Sequence, residues 1–193
     1  MKKFHQMGGF STSDHSRAKL QSVHLQYNAL ADHTDAVLND RTRSKGEKSP
    51  MLAKAKTQIQ SLLNKVEEAR AEAEGRQSDT LERLQNKIDS VSMADALTIT
   101  KFVSELDSIG RVSAMKESAD IALAVMRVPK GIAGPLRDAA WPELIHTHMP
   151  ETGEALATAE QDLFEIADAA DFINKQAAAL EVHIDRDALA TRI

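Results

Sequence analysis

The chain has 193 residues, 42% of them hydrophobic and 27% charged, with a net charge of −5, no cysteine, one tryptophan and one tyrosine. That length holds one good core with appendages, the composition is that of a folding chain, and the lack of thiols excludes disulfide staples, thiolate metal sites and cysteine nucleophiles. Only 4% is aromatic, while Ala, Leu, Glu, Lys and Gln, which lose little rotamer freedom in a helix, are plentiful. The expected fold is therefore all-α: an elongated bundle of five or six helices with coiled-coil-like heptad seams and a flexible N-terminal arm.

The charges are segregated along the chain. Residues 1–56 hold ten Lys/Arg against five Asp/Glu, leaving 14 basic and 24 acidic residues in the remainder. A basic arm can mark nucleic-acid or membrane contact, but Glu47 lies between Lys45 and Lys48, and Asp32, Asp35 and Asp40 dilute the rest. No aromatic residues are interleaved for base stacking, so nucleic acid is not an expected partner. Attraction between this arm and the acidic C-terminal helix of another copy is the sharper alternative to a merely solvated arm.

Residues 1–16 mix Gly, Ser, Thr and His without periodicity and read as the flexible arm. Met1-Lys2-Lys3 is followed by His5, Gln6, Gly8 and Gly9 where a cleaved signal would carry an apolar run, so cytoplasmic synthesis is expected, with the final location, in an assembled particle or secreted, left open. From 17 to 39, Leu20, Val23, Tyr27, Leu30 and Val37, with Thr34 in the gap, recur at steps of three and four and predict the first helix. The polar run 40–50 ends in Ser49-Pro50 and reads as a linker. Helical hairpins are expected over 51–128. They begin with a narrow heptad seam of Leu52, Ala55, Ile59, Leu62, Val66, Ala69 and Ala73.

Gly75 interrupts that seam, and Leu81, Leu84, Ile88 and Val91 resume it in a shifted phase, as a hairpin or a kink requires. A helix-stopping Gly75 followed by a helix-starting Ser78-Asp79 favours the hairpin. A start signal at 92–95 opens a helix carrying Leu97, Phe102, Val103, Leu106 and Ile109, which Gly110 is expected to end. The next helix, 112–128, is apolar nearly all round near its end and is expected to be the most buried; Asp120 and Arg127 interrupt its apolar stretch, which is far short of the roughly 20 residues that span a bilayer.

Four of the five prolines fall in a Pro/Gly-rich connection over 129–150, where Gly134-Pro135 and Trp141-Pro142 are each placed to open a short turn. Its apolar residues Ile132, Leu136, Trp141, Leu144 and Ile145 are read as a lid closing the end of the bundle in preference to an exposed docking loop. A long C-terminal helix over 151–184 follows, with Leu156, Ala159, Leu163, Ile166, Ala170, Ile173, Ala177, Leu180 and Ile184 in unbroken three-four alternation, and 185–193 is a tail. Four heptads rise about 40 Å at 1.5 Å per residue, so part of this helix is expected to project or to touch several neighbours. Its acidic residues Glu160, Asp162, Glu165, Asp168 and Asp171 read as a solvated face.

Glu143-Leu144-Ile145-His146 has the Glu-x-x-His spacing of di-iron bundles, but one copy between two prolines does not make a site, and His146 with His148 lacks a third ligand. No nucleophile elbow, phosphate loop or dinucleotide fingerprint is present, so no catalytic, cofactor or metal residue is assigned and an enzyme is not expected. The expected function is that of a structural or assembly protein, such as a virion or secretion-apparatus component, forming homo-oligomers or larger assemblies. It would associate through Leu52, Ile59 and Val66 of one seam and Leu156, Leu163, Ile166, Ile173 and Leu180 of the other. The alternative is a monomeric adaptor, effector or regulator that binds a different protein through its N-terminal arm and the Trp141 region.

Overall fold

The structure, a computed structural model, describes residues 1–2 and 13–185. Among them no strand occurs and the fold is all-α, with eight α-helices and one π-helical segment. The helices are α1 (Asp14–Asn39), α2 (Lys45–Asp89), α3 (Met93–Glu105), α4 (Ser108–Glu117), α5 (Ala119–Arg127), α6 (Lys130–Ala133), α7 (Pro135–Pro142) and α8 (Pro150–Glu181), with the π segment at Glu143–His148. The chain divides into two compact units, one of Met1–Gly75 with Thr158–Ile193 and one of Arg76–Ala157.

The first unit is a three-helix bundle. Lys19 pairs with Glu72 and Lys65 Nζ donates to Gln26 Oε1, so α2 runs antiparallel to α1. Lys56 pairs with Glu181, and the Asp185 N–H donates to Ser49 Oγ, so α8 is antiparallel to α2 as well. The apolar stripes of all three close on one core, where Leu20, Val23 and Tyr27 of α1 meet Leu52, Ile59 and Val66 of α2 and Ile166, Ile173 and Leu180 of α8. Each such fully buried aliphatic side chain contributes roughly 1.5–3 kcal/mol. Tyr27 packs edge-on against Phe172 at a centroid distance of 5.5 Å. Ala31 takes the buried position of the α1 stripe and Leu30 is left half-buried beside it.

Asp162 departs from the expected solvated face. Its side chain is 0% exposed and accepts from the Ser13 N–H at 2.8 Å, Ser13 Oγ at 2.6 Å and Ser16 Oγ at 2.8 Å. Ser13 is also the N-cap of α1. A buried carboxylate at a helix N-terminus is stabilised both by these donors and by the helix dipole. Residues 3–12 of the expected arm lie outside the described residues, while 14–16 are already helical. Met1 and Lys2 are held on the bundle: the Met1 amino group pairs with Asp35, the Lys2 N–H donates to Gln176 Oε1 at 3.1 Å, and the Lys2 carbonyl accepts from Tyr27 Oη at 3.2 Å.

Two features of α2 differ from the sequence expectation, its start and its course through Gly75. The expected linker shortens to 40–44 because Ser44 and Glu47 form a capping box, Ser44 Oγ accepting from the Glu47 N–H and Glu47 Oε2 from the Ser44 N–H, which starts the helix ahead of Pro50. Gly75 makes neither hairpin nor stop: α2 passes through it, and Gly134 is the one described glycine with positive φ. The shift of phase is only apparent, since half-buried Gln77 and Thr80 continue the stripe from Ala73 to buried Leu84 and Ile88 while Leu81 faces outward.

The second unit packs short helices around α5, whose Ala122, Ala124, Val125 and Met126 are all buried. The expected helix 92–110 ends at Leu106 because Asp107 caps α4 by accepting from the Gly110 N–H, while Arg111 donates to the carbonyls of Leu106 and Ser104. The expected helix 112–128 divides at Ser118, the C-cap of α4 and N-cap of α5. These two caps, with the further division of 129–150, raise the count above five or six. Gly134-Pro135 opens α7 as expected, with Gly134 at φ 54°. Pro142 closes α7: having no N–H for the preceding turn, it is followed by the π segment, in which the Met149 N–H donates to the Leu144 carbonyl. Gly153 lets the start of α8 approach that segment, for a Cβ there would come within 2.5 Å of Ile145 Cγ2.

Two consequences are measurable. Gly75 is exposed, and a Cβ there meets no atom within 4 Å, so Gly75→Ala is expected to raise unfolding stability by about 0.5–1 kcal/mol in urea; a loss of stability would mean that the backbone turns at this residue. Tyr27 is the single tyrosine, and its phenol is held neutral to well above the usual range, first by burial and then by the Asp35 carboxylate. The contribution of this raised folded-state pKa is intact below about pH 10, where the unfolded phenol ionises, and is lost as pH climbs beyond it. Tyrosinate absorbance is therefore expected to rise together with the loss of helical circular dichroism, and ionisation near pH 10 in the folded chain would contradict the burial.

Candidate functional site

The structure uses most of the expected interaction residues within one chain. Leu52, Ile59, Val66, Ile166, Ile173 and Leu180 are buried together in the first unit's core, with Leu163 partly buried against it. Leu156 is buried in the first turns of α8. Trp141 is the exception. It stands on α7 with 37% of its surface exposed, close to Leu81 at 43% on the outward side of α2.

These two residues share a groove of about 480 Å³ in the second unit, formed by α2, α5 and α7. Leu84, Ile88 and Met126 make its apolar floor, and Glu82 and Arg137 stand on opposite sides, one on α2 and the other on α7. Each part is fixed by local sequence. Leu81 and Gln85, four residues apart, fall on one face of the helix because α2 runs unbroken through Gly75. Trp141 is presented by the last turn of α7, which Gly134 and Pro135 start and Pro142 ends. Arg137 is held in place by a bond from Nη1 to the Val128 carbonyl at 3.3 Å. Arg127 bridges α5 to the end of α2 through Asp89 at 2.8 Å.

Of the five residues expected to close a lid, Leu136, Leu144 and Ile145 are buried, whereas Ile132 and Trp141 are exposed. The connection thus combines a packed inner face with an apolar outer one. Sequence periodicity does not reveal the groove, because Leu81 lies outside the α2 stripe and its partner Trp141 is sixty positions away. The signal present in the sequence was the pairing of a lone Trp with two flanking prolines.

No protein-family model, curated protein or solved structure matches the chain.

The Glu-x-x-His spacing falls on the π segment. On the π segment a residue lies closer to its i+4 than to its i+3 neighbour, and the Glu143 carboxylate accepts from Thr147 Oγ1 at 3.1 Å while His146 is exposed. His148 turns the other way, its Nε2 donating to the Met115 carbonyl at 2.8 Å in the last turn of α4. Among the described residues no three His, Asp or Glu side chains gather as a metal-ligand set, and no helix is long and apolar enough to cross a membrane.

The two histidines are therefore separable. Replacing His148 by Ala leaves a carbonyl of α4 without its donor and is expected to cost about 1 kcal/mol of unfolding free energy, whereas His146→Ala should change it by less than about 0.5 kcal/mol. Equal effects in urea denaturation would contradict the assigned bond.

Proposed function

We propose that this chain is a non-enzymatic protein that joins other protein chains by helix–helix packing, and that the Trp141 groove receives an amphipathic helix of a protein partner. The observation that carries the reading is the outward placement of Trp141 and Leu81 over an apolar floor. Trp and Arg are concentrated where protein interfaces hold most of their binding energy and Met is enriched at interfaces, and all three line this groove. A trough walled by helices suits an apolar stripe at i, i+4 and i+7, with Glu82 and Arg137 available to fix the direction of the incoming helix. This reading favours the adaptor over association through the heptad seams, since the seam residues are already consumed in the first unit's core.

Self-assembly, as in a virion or secretion-apparatus component, is the second reading. It is favoured by a separate observation, the exposed Phe164 and Val182 on and just beyond α8.

Trp141 is the only tryptophan and so reports on its own groove. Helical peptides selected from a display library against the full chain are expected to shift its emission to the blue on binding. Trp141→Ala should lower their affinity by about thirtyfold, equivalent to about 2 kcal/mol, with helical circular dichroism unchanged. Selected helices that bind with unaltered emission and equal affinity for the variant would overturn the docking role of this groove.

A further inference from the structure

The first unit carries a second, larger groove on the outer side of the α1–α2 hairpin, of about 730 Å³. Leu30, Met51 and Leu62 give it an apolar floor, and its polar lining is His33, Lys54 and neutral amide and hydroxyl groups, with no carboxylate. Lys54 forms no salt bridge among the described residues. Lys65 adds a further ammonium at the edge, where it donates to Gln26.

The outward stripe of α8 has the complementary character. Phe164, 69% exposed, is flanked at four-residue spacing by Glu160 and Asp168, and Ala167 beside it is exposed and small. Residues at i, i+4 and i+8 lie along one helix stripe, so an apolar knob stands between two carboxylates. Glu160, like Lys54, has no salt bridge among the described residues. The lengths agree too. Met51 to Leu62 rises about 16 Å along α2 at 1.5 Å per residue, the same as Glu160 to Asp171 along α8.

We infer that the α1–α2 groove receives the Phe164 stripe of α8 from a second copy of this chain. Phe164 seats on Leu30, Met51 and Leu62 as a fourth helix beside the hairpin, with Glu160 and Asp168 facing Lys54 and His33. Groove and stripe are different surfaces, so the contact is heterologous: a joined pair keeps one free groove and one free stripe, and association continues until a ring closes or a filament grows. About three helical turns make a small interface, in the size class of weak, transient contacts. The inference rests on the self-assembly reading and is independent of the Trp141 groove.

Sedimentation velocity of the full chain over a dilution series from low micromolar to several hundred micromolar tests it. The wild type is expected to form oligomers that grow with concentration. Phe164→Asp and Lys54→Glu, both at exposed positions, should each be monomeric with unchanged melting. Mixed one to one, they should form a heterodimer and nothing larger, because the intact groove of the first meets the intact stripe of the second. A wild type that stays monomeric throughout overturns this interface and self-assembly together. Oligomers that persist in both variants overturn this interface alone and leave assembly through another surface standing. Monomeric variants that do not combine on mixing also overturn it.

Discussion

The closure of three apolar stripes on one another within a single chain is the constraint on which the rest depends. A narrow stripe leaves most of a helix's circumference polar, so a helix of this kind is stable only against a partner stripe. In this chain α2 finds two such partners, α1 and α8, and the cluster from Leu20 to Leu180 is the result. Ala55, Ala69 and Ala73 on α2 and Ala169 on α8 are buried between the larger residues and permit close approach of the backbones. Asp162 then fixes where α1 begins relative to α8, since only one placement puts Ser13 and Ser16 against its carboxylate. Breaking that network by removing the carboxylate would strand buried donors, the costly direction for a polar group in a core.

Because the seams close within the chain, the apolar side chains that remain outward are those outside them. In the second unit, short capped helices leave Trp141 and Leu81 outward over Met126 and Ile88. In the first, Leu30 is displaced from the stripe by Ala31 and becomes floor for a groove, while Phe164 stands off the α8 seam. Leu81, Leu30 and Phe164 share one cause of exposure: each lies one position away from a residue of its helix's stripe.

Much of the fold was legible in the periodicity. The stripes of α1, α2 and α8 and the burial of α5 follow from apolar spacing, and all of them are observed. What spacing does not carry is the identity of a helix's partner, so intermolecular and intramolecular seams look alike until the core is closed. Boundaries depend on single polar side chains. Ser44 with Glu47, Asp107 and Ser118 each cap a helix in a way present in the sequence but weak beside the apolar pattern. Gly75 misleads for the opposite reason: a stop signal needs a left-handed residue, and the half-buried Gln77 and Thr80 keep α2 in register where no apolar residue marks it. The burial of Asp162 among other acidic residues was hidden because its donors lie nearly 150 residues away. Of the candidate site, Trp141 was visible as a lone aromatic among prolines, but Leu81, Met126 and Arg137 join it only through tertiary packing.

Cross-linking reads directly whether both heptad seams close within one chain. The chain has no native cysteine, and Lys56 and Glu181 meet at 2.8 Å between α2 and α8, so a Lys56→Cys, Glu181→Cys double variant can be joined by a short bismaleimide at high dilution. A single internally bridged species of monomer mass is expected. Covalent dimers or higher species in place of that monomer would contradict it, for they would place the α2 seam of one copy against the α8 seam of another.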